Sequence, residues 1–155
     1  MTTDVYPGKD LGTLDLTITD DMVQHYIKGL DEPNPWYTTT SPFGGPVAPV
    51  IVYLHNDKEA SQELGFGDMV IGGRMTLSCV TELLTRHFGR GFYLGGHLDV
   101  KFTNVLWPNE PFTTRGIITG RSLEGGQTRA QVTVFCEKAD GTKIIVATAS
   151  ALENC

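Results

Sequence analysis

The chain has 155 residues, with 12 Lys or Arg against 18 Asp or Glu, so its formal charge is −6 with histidine counted neutral. A hydrophobic share of 40% and a charged share of 19% are typical of one soluble domain with a sizeable core, and they exclude disordered, collagen-like and coiled-coil chains. No apolar run is long enough to span a membrane, the first residues lack the features of a signal peptide, and no Lys/Arg cluster offers a nucleic-acid footprint. We therefore expect a cytoplasmic protein that binds neither a membrane nor nucleic acid.

The cysteines and histidines do not predict a metal site. Cys79, Cys136 and Cys155 are far apart, and no histidine lies two to five residues from a cysteine or from another histidine. We expect no bound metal. Cys79 and Cys136 are predicted to be small buried residues, and Cys155 is predicted to be a thiol in a frayed tail.

The first half of the chain is rich in turns. A short strand is predicted over residues 13–19, followed by a helix over residues 20–28 with Thr19 as its N-cap. Residues 31–49 carry several prolines and a pair of glycines, and they predict a long loop of the kind that is usually functional in a compact domain. The glutamate, alanine and leucine content of residues 49–63 favours a helix over a strand.

The second half predicts one long helix followed by strands. Residues 75–88 place apolar side chains at spacings of three and four, and Gly89 ends this helix. Four strands are predicted, over residues 92–104, 111–122, 127–138 and 142–152. Glycine-containing turns at 125–126 and 140–141 join the last three strands as hairpins, so the sheet must be antiparallel. The expected architecture is α+β, with a sheet wrapped on one buried helix in a single domain of residues 1–155.

Two stretches together resemble one family. Residues 31–37, with the sequence Asp-Glu-Pro-Asn-Pro-Trp-Tyr, and residues 42–49 resemble the signature loop of MaoC-like hydratases and dehydratases. The helix over residues 75–88, with residues 98–105 and 107–111 after it, is similar to the central helix, the next strand and the Pro-Gly-Asp corner of that family. The resemblance implies a hot-dog fold, an antiparallel β-sheet wrapped around a long central helix. It also implies pairing into a dimer with active sites near the subunit interface.

The family resemblance implies acid/base chemistry, in which water is added or removed at the β carbon of an acyl thioester. The thioester is carried by coenzyme A or an acyl carrier protein, and no other cofactor is expected. The reaction needs a base, an acid and donors aimed at the thioester oxygen. Gly72 and Gly73 open the central helix, so they either let a ligand approach backbone N–H groups or simply form a turn. Arg74 beside them either pairs with a substrate oxygen or is a solvated side chain.

The catalytic pair of the family is changed in this chain. In the family's Asp-x-Asn-Pro-x-His motif, alignment on Asn34 and Pro35 puts Glu32 at the Asp position and Tyr37 at the His position. Glu32 can still act as a base, and Asp31 beside it is a second candidate. A tyrosine phenol has an ordinary pKa of about 10, so Tyr37 is better suited to donate a proton than to accept one. The Asn-Pro-x-Tyr sequence also resembles the non-catalytic half of heteromeric hot-dog dehydratases.

The histidines offer a replacement for the missing one. His55 lies between the signature loop and the central helix, with Asp57 nearby as an orienting partner, so it is a candidate acid or base. The alternative is a partly exposed surface histidine. His97 either lines the channel or lies at the surface, and His25 and His87 are predicted to lie on helix surfaces.

Ten residues make up the predicted site. The candidates for catalysis are Glu32, Tyr37, Asp31 and His55, and those for substrate binding are Asn34, Trp36, Phe43, Gly72, Gly73 and Arg74.

The sequence leaves three functions open. The chain is a lyase or isomerase acting on an acyl-thioester or polyketide-derived substrate, a non-catalytic hot-dog subunit whose partner carries the intact motif, or a small-molecule binding module. A homodimer is expected, with a heteromer formed with another hot-dog subunit as the alternative, because a single sheet leaves an edge to be covered.

Overall fold

The computed structural model describes residues 7–30, 40–41, 45–46, 55 and 58–153. The chain forms two compact units. The first comprises residues 1–16, 73–104 and 111–155, and the second comprises residues 17–72 and 105–110. No helix among the described residues is both long and apolar enough to cross a membrane.

The described elements, in chain order, are β1 (Asp10–Thr17), α1 (Asp20–Leu30), β2 (Thr40–Ser41), β3 (Gly45–Pro46), α2 (Lys58–Glu63), α3 (Gly73–Phe88), α4 (Arg90–Gly95), β4 (His97–Phe102), β5 (Pro111–Glu124), β6 (Gln127–Lys138) and β7 (Lys143–Leu152).

The first unit contains a five-stranded sheet with the order β1-β5-β6-β7-β4. β5 pairs with β6, β6 with β7, and β7 with β4, each in the antiparallel sense. β1 also runs antiparallel to β5, since Lys9 is hydrogen-bonded to Ile118 near one end and Asp15 to Thr113 near the other. The predicted antiparallel sheet is therefore confirmed.

The two predicted hairpins are also present. Gly125 and Gly126 join β5 to β6 with φ values of 55° and 83°, and Gly141, with a φ of 85°, lies in the turn before β7. These left-handed backbone angles fit tight hairpin turns and are unfavourable for residues with a side chain. The last three strands agree with the predicted ranges to within two residues at each end.

The core of this unit lies between α3 and the sheet. α3 packs against β5, β6 and β7, and it buries Val80, Leu83 and Leu84. The period-two pattern of β6 puts Val132 and Val134 on the buried face, since both are at most 2% exposed. Burying such side chains is the main favourable term in folding, at about 25 cal/mol per Å² of apolar area.

The strand predicted over residues 92–104 is wrong in its first part. The chain turns at Gly89, forms the short helix α4, and enters β4 only at His97. The glycines of this segment disfavour a helix, but α4 is held by packing against β7. A Cβ atom on Gly91 would lie only 1.9 Å from the Leu152 carbonyl oxygen, so the close approach of α4 to β7 requires glycine at that position.

The second unit begins at the end of β1 and contains α1. The predicted N-cap is confirmed, because the Met22 N–H donates to Thr19 Oγ1 at 3.2 Å and the Val23 N–H donates to the Thr19 carbonyl at 3.1 Å. The aspartates in the first turn stabilise the helix, because their negative charges lie near the positive end of the helix dipole. α1 continues through Gly29 to Leu30, two residues beyond the predicted end.

The helix predicted over residues 49–63 is only partly correct. Residues 58–63 form α2, whereas His55 lies in a turn. The other residues of 49–57 lie outside the described part of the chain. The two-residue strands β2 and β3 pair antiparallel within the predicted loop over residues 31–49.

Candidate functional site

Four of the ten predicted site residues belong to the described part of the chain, namely His55, Gly72, Gly73 and Arg74. The other six, Asp31, Glu32, Asn34, Trp36, Tyr37 and Phe43, lie outside the described residues. Their roles therefore stay predictions.

His55 is oriented by a backbone carbonyl. Its Nδ1 atom lies 2.7 Å from the Val70 carbonyl oxygen, and the side chain is half-buried. A carbonyl oxygen can only accept, so Nδ1 must carry the hydrogen. In the neutral ring, Nε2 is then left without a hydrogen and has a lone pair available for a proton. Asp57, the predicted orienting partner, lies outside the described residues.

The segment that accepts this hydrogen bond is buried and lies outside the helices and strands. Met69, Val70 and Ile71 are each at most 6% exposed. The Ile71 N–H donates to the Leu106 carbonyl at 2.9 Å. Both polar groups of the peptide between Val70 and Ile71 are therefore paired, as buried backbone groups require.

An ion pair connects this segment to α2. Lys58 Nζ lies 3.0 Å from Asp68 Oδ2, and the Met69 N–H donates to the other carboxylate oxygen at 2.7 Å. These two contacts lower the pKa of the Asp68 carboxyl, and the carboxylate raises the pKa of Lys58. Because both side chains are exposed to solvent, the pair contributes little to stability.

Two glycines lie where the second unit leads into α3. A Cβ atom on Gly72 would lie 3.9 Å from His55 Cγ, an ordinary contact distance, so the glycine backbone lies beside the imidazole ring. Gly73 is the first residue of α3, and a Cβ atom there would lie 2.9 Å from Phe102 Cε1. Close packing against Phe102 is thus a structural reason for glycine at position 73.

Arg74 is exposed in the first turn of α3. No ion pair joins it to any residue that the structure describes. The first N–H groups of an α-helix have no partner within the helix, so this turn offers both backbone donors and a guanidinium group.

The corner over residues 105–110 was predicted only as a family feature, and its role was missed. Asn109 has a φ of 63°, its N–H donates to the Ile18 carbonyl at 2.8 Å, and its side-chain amide donates to Asp20 Oδ2 at 2.6 Å. Asparagine adopts this left-handed conformation more readily than most residues, which is the only sequence signal that could have indicated it. The corner is further packed by Trp107, whose ring meets Phe66 edge-on at 6.5 Å.

The other three histidines do not hydrogen-bond to the segment over residues 69–71. His25 is exposed on α1, and His97 is exposed at the start of β4. The prediction that His87 lies at the helix surface is wrong, because it is half-buried and its Nε2 atom is inaccessible and has no partner among the described residues. Within the described residues, no group of three or more His, Cys, Asp and Glu side chains could hold a metal ion.

The thiols differ from the prediction in one respect. Cys136 is fully buried, as expected, and burial raises its pKa to about 11. Cys79 is only half-buried. Cys155 lies outside the described residues.

The chain belongs to the MaoC-like domain family, whose model matches residues 51–139. No curated protein sequence matches the chain. The solved structures that are similar to it include the (R)-hydratase from A. caviae involved in PHA biosynthesis, at a TM-score of 0.67 and 14% identity over 97% of both chains.

Two protein complexes from Mycobacterium tuberculosis are also similar to the chain. One is the ChsH1-ChsH2 complex, at a TM-score of 0.68 and 13% identity, covering 96% of this chain and 98% of the other. The second is the C-terminally truncated HadBC (3R-hydroxyacyl-ACP dehydratase) complex, at a TM-score of 0.62 and 13% identity, covering 98% and 99%. At these identities the likeness shows the fold, and it confirms the predicted hot-dog architecture.

Proposed function

We propose that the chain is a lyase or isomerase that moves protons beside a carbonyl group, acting on an acyl-thioester or polyketide-derived substrate. The observation that carries this proposal is the hydrogen bond from His55 Nδ1 to the Val70 carbonyl, which makes Nε2 the ring nitrogen that can accept a proton. Membership of the MaoC-like family supports the reaction class. The similar structures include proteins named as a hydratase and a dehydratase, which supports the same class.

In the dehydration direction, His55 Nε2 takes the proton from the carbon next to the carbonyl. The electron pair of that C–H bond forms the new double bond as the C–O bond to the β hydroxyl breaks. The hydroxyl leaves as water after receiving a proton from an acid, for which Tyr37 is the first candidate and Glu32 or Asp31 the alternatives. These proton transfers are within the capacity of side chains, so the proposal includes no metal or redox cofactor.

The carbonyl oxygen gains negative charge during this reaction. The family resemblance implies backbone N–H donors that stabilise this charge, and Gly72, Gly73 and Arg74 are proposed for that role. Asn34, Trp36 and Phe43 are proposed to shape the substrate channel, as the family resemblance implies.

The test is turnover of crotonyl and longer enoyl thioesters by the purified chain. Turnover is monitored as the decrease in absorbance that accompanies loss of the conjugated double bond. We expect the His55→Gln variant to lose at least about 10²-fold in kcat, because the base is removed. His25→Gln is the matched control and should keep wild-type activity, since His25 is exposed on α1. Full activity in His55→Gln would contradict the proposed role of His55.

A second candidate is a hot-dog subunit that is inactive alone. The changed motif residues at Glu32 and Tyr37 favour it, and two of the similar structures are complexes of two named components. It predicts an inert purified chain that becomes part of an active assembly with a second hot-dog protein carrying the intact Asp-x-Asn-Pro-x-His motif. Turnover by the purified chain alone would exclude this candidate.

A further inference from the structure

One peptide group connects His55 to the corner over residues 105–110. The Val70 carbonyl accepts from His55 Nδ1 at 2.7 Å, and the N–H of the same peptide, which belongs to Ile71, donates to the Leu106 carbonyl at 2.9 Å. The three groups therefore form a chain of hydrogen bonds through a single planar unit. Donation by the N–H polarises the peptide and makes its carbonyl a stronger acceptor.

This arrangement decides which ring nitrogen of His55 carries the hydrogen. The tautomer of a histidine is set by the hydrogen bond that one of its nitrogens makes. Because a carbonyl cannot donate, the Val70 oxygen selects the form with hydrogen on Nδ1 and leaves Nε2 as the proton acceptor. The acceptor is neutral, so it orients the ring without placing a negative charge beside it.

The peptide is held firmly because its surroundings are buried and tied down. Val70 and Ile71 are 6% and 4% exposed. The Leu106 carbonyl belongs to a corner that is fixed at its other end by Asn109, whose N–H and side-chain amide donate to Ile18 and Asp20. Movement of the corner would therefore be transmitted to the peptide that orients His55.

We propose that the peptide between Val70 and Ile71, held by Leu106, fixes His55 as the Nδ1–H tautomer, and that Asn109 is a positioning residue for His55. The inference rests on the proposed function, because it assigns the orienting group of the proposed base. In this arrangement the backbone performs the task that a carboxylate performs beside the histidine of many acid/base enzymes.

The direct test replaces the Ile71 residue by its α-hydroxy acid analogue in the full chain, which exchanges the N–H for an oxygen. This substitution deletes the hydrogen bond to Leu106 and weakens the Val70 carbonyl as an acceptor. The matched control is the same exchange at Met69, whose N–H bonds the Asp68 side chain instead. The readout is the tautomer of His55 by ¹⁵N NMR of labelled histidine, together with kcat and KM.

We expect the Nδ1–H tautomer in the wild-type chain and in the Met69 ester, and a mixture of tautomers in the Ile71 ester. We also expect kcat of the Ile71 ester to fall on the order of tenfold with KM nearly unchanged, because the base is misoriented while substrate contacts remain. An Nε2–H tautomer in the wild-type chain, or an unchanged tautomer in the Ile71 ester, would overturn the inference.

A second pair of variants covers the case in which the ester chain does not fold. Asn109→Gly keeps the left-handed backbone at φ 63°, whereas Asn109→Ala strains it. The proposal predicts that the alanine variant loses more of the Nδ1–H tautomer than the glycine variant. Equal, wild-type tautomers in both variants would refute the role of Asn109.

The tautomer is read without substrate, so the inference and the proposed function fail differently. An Nδ1–H tautomer that is present in the wild-type chain and lost in the Ile71 ester supports the orienting role of the peptide between Val70 and Ile71. This holds even when no thioester is turned over. Full activity in His55→Gln, by contrast, would show that His55 is not the base, and it would overturn the positioning role of Asn109.

Discussion

At the scale of single residues, two histidines in this chain have different surroundings. His55 has a partner for Nδ1 in the Val70 carbonyl, whereas His87 on α3 has a buried Nε2 atom without a partner among the described residues. Burial lowers the pKa of His87, the positive charge of Lys9 lowers it further, and the negative charge of Glu153 opposes both. We therefore expect His87 to make the free energy of unfolding depend on pH.

The pH dependence of stability should reveal His87. Its pKa is lowered in the folded chain, so between that value and about pH 6.5 the unfolded chain binds more protons. The stabilising contribution is complete above about pH 6.5 and is lost as the pH falls from there through the folded pKa. We expect the free energy of unfolding, measured with urea from about pH 8 to about pH 5, to fall less steeply in His87→Gln than in the wild-type chain.

The control for this experiment is His25→Gln. His25 is exposed on α1, so this variant shows how far the loss of a surface histidine changes the slope between the same pH values. A wild-type slope in His87→Gln would show that another group causes the acid sensitivity.

At the scale of secondary-structure elements, the quality of the sequence predictions followed the strength of the local pattern. β6 was predicted over residues 127–138 and observed over the same range, because its fully buried positions alternate with partly exposed ones. α4 was not predicted because its glycines are unfavourable in a helix, whereas its packing against β7 and α3 holds it in place. Contacts between elements distant in sequence leave no periodic signal.

Two glycine-to-alanine substitutions distinguish the effect of helix propensity from that of tertiary packing. Gly91→Ala would place a methyl group 1.9 Å from the Leu152 carbonyl oxygen, so we expect a loss of about 1–3 kcal/mol in the free energy of unfolding. Gly29→Ala is the matched control, because Gly29 lies within α1 with no atom of the described residues within 4 Å of its Cβ position, and the alanine should stabilise by about 0.5–1 kcal/mol. Urea unfolding measures both, and a neutral Gly91→Ala would refute the close packing of α4 on β7.

At the scale of the whole molecule, the hot-dog fold was predictable and the candidate site only partly so. The long helix and the antiparallel strands have clear periodicities, and the signature loop carried the family resemblance. The sequence also proposes His55 as a candidate acid or base, by its position between the loop and the central helix, and this role stays a prediction. Its orienting group was not predictable, because a backbone carbonyl such as that of Val70 belongs to every residue and has no sequence signature.

The sheet edge bears on assembly. β4 lies at one edge of the sheet and ends at Phe102, which is 52% exposed. An open edge favours pairing with another chain, and the sequence predicts a homodimer. Sedimentation equilibrium of the purified chain should give twice the monomer mass of 16.9 kDa. A monomer that assembles only with a second hot-dog protein would contradict the homodimer and favour the heteromeric alternative.

The most direct test of the central claim, that His55 is the base, is a crystal structure with an unreactive enoyl- or hydroxyacyl-thioester analogue. We predict that His55 Nε2 lies within about 3.5 Å of the carbon that exchanges its proton, with Nδ1 still bonded to the Val70 carbonyl. An analogue bound away from His55, or one whose reacting carbon faces another base while Nε2 makes no contact with it, would contradict the claim.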